Sequence, residues 1–416
     1  MMESGRNLTL QEKDILNKVL SGELSIRKVA MLVEDWESAI KIRRLAIEEL
    51  AGVEFENIQN YSIDTEYVVK KNTENMIGAV QVPLGVAGPL NVNGEYAQGD
   101  FYIPLATTEG ALVASINRGS SVITGSGGAN VRIFQNSMTR APVFKFENLE
   151  RTKKFVDWVK KKNTLEKMKE KTKESTRYGE LLNAEPFVLG NTVYLRFGFD
   201  TKDAMGMNMV TLATDVIVDL IVDEFGADPI SLSGNMCSDK KPAAVSSING
   251  RGKTVVAEVT IPRDTVEAKL KCTPEEMVEV NYRKNLLGSA RAGSLGFNAH
   301  AANVIAAMYV ACGQDPAHVV EGSYTITTMD IDKYGDLYCT VTLPAVAVGT
   351  VGGGTGIGTQ RDCLNLLGVL GSGEKPGENS KKLAEIVAVS VMAGELSLIG
   401  AQAAGHLARA HAKLGR

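Results

Sequence analysis

The stretch 192–231 constrains the architecture of this 416-residue chain more than any other. TVYLRFGF reads as a strand, DAMGMNM (203–209) as a glycine-bearing loop, the residues to about Phe225 as a helix, and the apolar run before residue 231 as another strand. Strand, loop, helix and strand in that order form a crossover unit, which requires mixed helix and sheet and leaves a loop where a nucleotide can sit. The chain is also longer than the size at which single cores stop growing, so two or three domains are expected.

Around this unit the chain changes character several times. Residues 1–73 read as a small helical domain: Thr9 and Glu12 form a capping box ahead of an apolar-periodic stretch ending near Gly22, and a second helix runs from about Glu34 to Ala51 with Gly52 behind it. VQVPLGVAGPL and FYIPLA then read as short strands, followed by a helix that begins after Thr107 and Thr108 and carries Glu109 in its first turn. Residues 142–231 form an inserted small domain, and 74–141 with 232–416 form the large one. Thr273, Pro274, Glu275 and Glu276 start a helix reaching about Asn285, and a long Ala-rich helix begins near Ser380.

Composition excludes several function classes. Hydrophobic content of 44% and charged content of 23% are those of an ordinary soluble globular protein. The net charge of −4 argues against nucleic acid as a main partner. The ten Lys or Arg against three acids between residues 151 and 173 read as the solvated face of a helix, or as a positive surface for a phosphorylated cofactor. No apolar run reads as long and pure enough to span a bilayer, and the start lacks the core of a signal peptide, so a soluble cytoplasmic protein is expected. Cys237, Cys272, Cys312, Cys339 and Cys363 contain no CxxC pair, and His406 and His411 are five apart, which does not suit two ligands on one helical face. No metal site is expected.

The most polar stretch is SLSGNMCSDKK, residues 231–241, which places Ser233, Asn235, Asp239, Lys240 and Lys241 close together behind the last strand of the crossover. Such groups cost free energy when buried without partners, so the segment is either a solvated loop or the floor of an anion-binding site. GRGKT (250–254) ends like a phosphate loop, but Ser247 stands where that motif needs glycine and strand-like residues follow. No GxGxxG occurs, so a conventional dinucleotide fold is not expected. Gly352, Gly353 and Gly354 allow a close backbone approach to a ligand.

In chain order, TTEGALVASINRG, MTRAPV, DAMGMNM, SGNMCSDKKPAA, NAHAANV, ACGQDPA, VGTVGGGT, VMAGELSL and GHLARAH resemble 3-hydroxy-3-methylglutaryl-CoA reductase. The uninterrupted SDKKPAA and the terminal histidine look like class I, the eukaryotic and archaeal type, in a soluble form without the membrane anchor. The resemblance implies an α+β fold: a small amino-terminal helical domain, a large α/β domain with long helices, and an inserted small ferredoxin-like domain that binds NADPH. It implies reduction of the acyl-CoA thioester HMG-CoA to mevalonate by two NADPH, with an NAD-dependent, mevalonate-oxidising relative as the alternative and a non-catalytic anion- or nucleic-acid-binding protein as a remote one.

The resemblance also assigns residues. Lys240 becomes the cation at the developing oxyanion, His411 the proton donor to the thiolate, Glu109 the acid for the aldehyde oxygen, and Asp315 the partner of lysine and glutamate. Arg140, Ser233, Asp239, Lys241, Lys284 and Asn303 match groups on the substrate's acyl end, and Ser115, Asn117 and Arg118 match coenzyme A contacts. Thr176, Arg177, Asp203, Met205, Gly206, Met207 and Asn208, with the three glycines at 352–354, match the cofactor site. ENMIG, beginning at Glu74, matches a dimer contact, so a homodimer or a dimer of dimers is implied, with lysine and glutamate from different subunits. The phosphorylated serine of animal members, beyond the histidine, is not expected here.

Overall fold

The computed structural model describes residues 8–413, with side chains described as far as Gly405. The chain divides into two compact units, Met1–Pro83 with Gly356–Asp362, and Leu84–Thr355 with Cys363–Arg416. In the first unit, helix α1 (Leu10–Leu20) carries the anticipated capping box with both bonds made, and α2 (Trp36–Ala51) starts on Asp35 and ends on Gly52 at φ 66°. Ile15 and Val19 of α1 pack on Ala39, Ile42 and Ala46 of α2, with Val29 between them. Helix α3 (Thr65–Lys71) and the 3₁₀ turn Ile26–Met31 complete the unit.

The second unit is built on a ten-stranded sheet. Its strands are β1 (Leu84–Asn93), β2 (Gln98–Ala106), β3 (Ala129–Arg140), β4 (Val143–Lys145), β5 (Glu180–Leu189), β6 (Thr192–Asp200), β7 (Asp228–Ser231), β8 (Gly252–Ile261), β9 (Ile326–Ile331) and β10 (Leu337–Val346). The order is β7-β4-β6-β3-β8-β10-β9, with β1 on β2 and β3, and β5 on the far edge of β6. Strand β3 joins two regions: residues 130–137 pair with β8, whereas 138–140 pair with β6. Each region buries its own apolar cluster, because a side chain can reach only one packed layer at a time.

The larger cluster lies beneath α4 (Leu112–Gly125), the helix Ala301–Ala311 and the last helix, Glu378–Lys413. The smaller is an aromatic core of Phe144, Phe155, Phe197 and Phe199 with Ile217, covered by α5 (Leu149–Val159), α6 (Lys162–Thr172) and α7 (Met207–Phe225). Around it the chain runs β4-α5-α6-β5-β6-α7-β7, and every adjacent strand pair is antiparallel.

Three sequence expectations are corrected, and for the basic run the solvated helix face is the alternative found. The helix after Thr107 starts only at Leu112, preceded by Ala111 at φ 67°, so Glu109 lies in the turn outside it and not in its first turn. The helix from Pro274 is regular only to Val280 and continues as π-helix over Asn281–Gly288. Part of the last helix, Glu378–Gly405, does have the length and mean hydropathy, 1.7, of a membrane span, but 94% of that window is buried within the protein, as in a core helix. In the basic run, Lys153 pairs with Asp157, Lys154 with Glu150, Lys167 with Glu224, Lys171 with Glu174 and Lys173 with Glu170. That is a self-neutralised helix face, worth little stability per pair.

Gly119 sets the distance between α4 and the last helix, since a Cβ there would lie 1.9 Å from the carbonyl oxygen of Ala393. Backbone cannot retreat without moving the whole helix. Gly119→Ala is therefore expected to lower unfolding free energy by about 1–3 kcal/mol, measured by denaturant titration; an unchanged midpoint would contradict this packing.

Candidate active site

The loop after β7 adopts a backbone that L-residues rarely choose: Asn235, Ser238 and Lys240 all have positive φ, at 64°, 53° and 58°. Such conformations persist only where surrounding bonds over-determine them. Here the amide of Gly234 donates to Ala141 O, Thr139 Oγ1 to Cys237 O, and the Lys240 amide to Glu321 Oε1 at 2.6 Å. Tyr324 then clamps the exit, donating its hydroxyl to Lys241 O and accepting from the Ala243 amide.

This loop presents Lys240 to Asp315, Nζ to Oδ2 2.8 Å, and the two side chains remain partly exposed. Asp315 follows the helix Ala301–Ala311 and caps the turn Pro316–His318 through the Ala317 amide. Burial opposes charge on Asp315, yet the bonds from Lys240 and Ala317 outweigh it and hold the carboxyl below its ordinary value. The Asp315 hydrogen bond is in turn the main cause that holds the Lys240 ammonium above its own. The pair is therefore an ion pair at neutral pH, open to solvent on one side.

Behind it lies a buried charge cluster. Arg251, wholly buried just before β8, donates to Glu321 Oε1 at 3.1 Å and Asp239 Oδ1 at 2.9 Å, and its Nη1 is 3.1 Å from His318 Nδ1. Asp239 faces Arg140 at 3.7 Å. Asp239, His318 and Glu321 are close enough together to suggest metal ligands, but the Arg251 guanidinium bonds all three and supplies the positive charge there. Arg251, His318 and Glu321 were not anticipated; Arg251 belongs to the GRGKT run, whose strand character hid a partner for Asp239. Lys253 of the same run is buried, with Nζ 3.5 Å from Val348 O, and burial pushes its ammonium down to about 8.

The two candidate cofactor loops are held against each other and against Gln314, the neighbour of Asp315. Ala204 bridges to Val351, and the Thr350 amide donates to Asp203 O. Gln314 pins the glycine loop from the other side, donating to Gly349 O at 2.9 Å and accepting from the Gly349 amide at 2.8 Å. A Cβ at Gly349 would come within 2.2 Å of the Met205 amide nitrogen, so no other residue allows this approach. Met205, Gly206, Met207 and Asn208 thus stand beside Gly352, Gly353 and Gly354, and Arg251 Nη2 reaches Met207 Sδ at 3.0 Å. Asp203 is different: its carboxylate accepts the Gly377 and Ser380 amides and fastens the last helix. Thr176 closes a turn through the Tyr178 and Gly179 amides, and Arg177 is exposed.

Glu109, Asn303, Ser115 and Arg118 form a second group. Asn303 donates to Glu109 Oε1 at 3.2 Å, and with Ser115, Arg118 and His300 they line a pocket of about 350 Å³. Ser115 and Arg118 bond Ser397, and Asn117 accepts the Gly88 amide. Among the described residues no hydrogen bond or ion pair joins Glu109 to Lys240 or Asp315. Ser233 lies 3.4 Å from Cys237 Sγ, Lys241 reaches back to Asp239 O, and Lys284 donates to Asn285 within the π-helix. His411 lies outside the residues whose side chains are described.

Residues 39–416 match the family described as hydroxymethylglutaryl-coenzyme A reductase. The chain belongs to this family. It is similar to the 3-hydroxy-3-methylglutaryl-coenzyme A reductase of Pyrococcus abyssi, 53% identical over 407 residues, 97% of this chain and 99% of that protein. The reductase of Haloferax volcanii is 49% identical over 97% of this chain and 98% of its own length. Reductase 3 of Solanum tuberosum is 44% identical over 97% of this chain and 70% of its own length. Among solved structures, the class II reductase of Streptococcus pneumoniae, described as bound to NADPH in open conformations, superposes with TM-score 0.65 at 17% identity, covering 91% of this chain and 100% of that one. At that identity the likeness establishes the shared α+β fold.

The Lys240–Asp315 pair carries a pH signature. A depressed carboxyl stabilises the fold above the ordinary carboxylate range and loses that contribution as pH falls through its folded value. A raised ammonium contributes below the ordinary lysine value and loses this as pH rises through the folded one. Asp315→Asn is expected to melt below wild type throughout neutral pH, with the gap closing as pH drops below about 4. A gap that persists undiminished to about pH 2 would contradict the pairing.

Proposed function

We propose that this chain reduces 3-hydroxy-3-methylglutaryl-CoA to mevalonate and free coenzyme A, taking two hydrides from two NADPH, as a class I member of its family. The observation that carries the reading is the Lys240 ammonium, held by Asp315 at the mouth of a buried charge cluster that the two glycine loops adjoin. NADPH, when bound against residues 203–208 and 352–354, supplies the hydrides. The unit from β4 to β7, with strand order β7-β4-β6-β5, supports assigning residues 142–231 as the ferredoxin-like cofactor domain.

The chain's own groups divide the work. As the thioester carbonyl turns tetrahedral, negative charge builds on its oxygen, and the preorganised Lys240 ammonium stabilises it. Collapse of the resulting hemithioacetal breaks the carbon–sulfur bond, and His411 gives the departing thiolate its proton. In the second reduction the aldehyde oxygen finishes as a hydroxyl, with Glu109 as the acid. Arg140, in contact with Asp239, suits the planar terminal carboxylate because its fork binds two oxygens at once. Ser233, Lys241, Lys284 and Asn303 hold the rest of the acyl end, and Ser115, Asn117 and Arg118 the coenzyme A. Thr176 and Arg177 face the cofactor's 2′-phosphate.

The separation of Glu109 from the Lys240–Asp315 pair within one chain supports a site completed by a second copy, so the working form is at least a homodimer. Lys240→Ala is expected to lose about 10²–10³-fold in NADPH oxidation with the acyl-CoA. His411→Ala should slow the thioester reaction more than reduction of free mevaldehyde. Wild-type activity retained in Lys240→Ala would overturn the reading. Co-refolding Lys240→Ala with Glu109→Ala chains should restore about a quarter of wild-type activity, since half the dimers are mixed and each mixed dimer has one intact site; no restoration would place both groups in one subunit's site.

A further inference from the structure

His318 closes the turn that Asp315 opens, and it is wholly buried. Its Nδ1 lies 3.1 Å from Arg251 Nη1. A guanidinium only donates, so Nδ1 accepts and the ring proton sits on Nε2. Glu321 Oε1 is 3.5 Å from the same Nδ1, but it already receives the Lys240 amide and Arg251. The Nε2–H fixed in this way has no hydrogen-bond partner among the described residues. Its nearest acceptors are Asp315 Oδ2 at 3.7 Å and Asp239 Oδ1 at 3.8 Å.

A buried donor left unpaired is costly, and native structures rarely keep one without a use. Asp315 Oδ2 is the atom that receives Lys240 Nζ. An approach of about 0.8 Å would bring the imidazole N–H within ordinary bonding distance of that carboxylate. The charged groups facing the ring are Arg251 and Glu321 on the Nδ1 side and Asp315 and Asp239 on the other; Tyr324 and Tyr309 stand beyond Glu321.

We propose that His318 is a positioning residue for the Lys240–Asp315 pair: set by Arg251 as an Nε2–H donor, it becomes the second donor to Asp315 Oδ2, beside Lys240, when the site closes on substrate. The bond keeps Asp315 ionised and aimed, and thereby holds the Lys240 ammonium in place at the oxyanion. This rests on the reductase reading given above. A neutral donor on a carboxylate favours its charged form, so removing it raises the acid limb of the kcat profile.

Two variants separate donor from filler. His318→Gln places an amide N–H near the position of Nε2, and His318→Met fills the space without a donor. His318→Met is expected to lose about tenfold in kcat, as for one bond to a charged group, with KM for the acyl-CoA within about twofold. Its acid limb should rise by about one pH unit, while His318→Gln keeps the wild-type limb. Equal kcat and equal limbs in the two variants would overturn the proposal. Should either variant fail to fold, ¹⁵N NMR of the wild-type chain decides, because it has only four histidines to assign. His318 protonated at Nε2 with Nδ1 bare is the expected result, and a proton on Nδ1 overturns it. Failure of the reductase reading looks different: the wild type itself would show no acyl-CoA-dependent NADPH oxidation.

Discussion

The guanidinium of Arg251 is the interaction on which the site depends. A buried cation persists only when its partners are charged and well placed, and removing one partner of such a cluster leaves an uncompensated charge that typically costs about 3–5 kcal/mol. Arg251 has Glu321 and Asp239 as those partners, and each does a second job. Glu321 also takes the Lys240 amide, which fixes the left-handed backbone that presents the lysine. Asp239 also faces Arg140. One buried cation thus sets the lysine loop, the β3 arginine and, through Met207, the start of α7.

Buried carboxylates elsewhere act in the same manner on backbone instead of on cations. Glu385 of the last helix accepts the amides of Glu95, Tyr96 and Ala97 and ties down the turn between β1 and β2. Burial pushes its carboxyl up against those three bonds, which oppose the shift. Glu395 accepts the Ala299 and His300 amides and the Thr327 hydroxyl, and so orients the helix start that carries Asn303 beside Glu109. Asp203 does likewise at the first turn of the last helix, where the dipole favours a negative charge. Loops with little apolar surface are fastened in this way to a helix that is itself buried in the core of the second unit.

Much of this was legible in the chain itself. The capping boxes at Thr9 and Thr273, Gly52 behind α2 and the crossover from β6 through α7 follow from rules that act over three or four residues. Glu109, by contrast, was misplaced by one turn, because TTEGALV reads equally well with the helix starting at either end of the tripeptide after threonine. The π-helical winding at Lys284 was not legible either; within it Asn285 donates to Asn281, which donates to Thr327 O in the core, a partner distant in the chain. Asp203 looked like a loop acid facing ligand; its partners lie more than a hundred residues away.

By itself the sequence determined the local elements, the apolar faces and the family, through motifs whose residue types and order survive any change in packing. It also determined that Lys240 and Asp315 are present. The family resemblance implied that they meet and that Glu109 comes from another subunit; only the tertiary structure brought Lys240 Nζ within 2.8 Å of Asp315 and stood Arg251, His318 and Glu321 behind the pair. The reason is physical: capping and periodicity are settled by neighbours in the chain, whereas a buried charge is settled by whichever distant groups the packed sheet brings within about 3 Å of it.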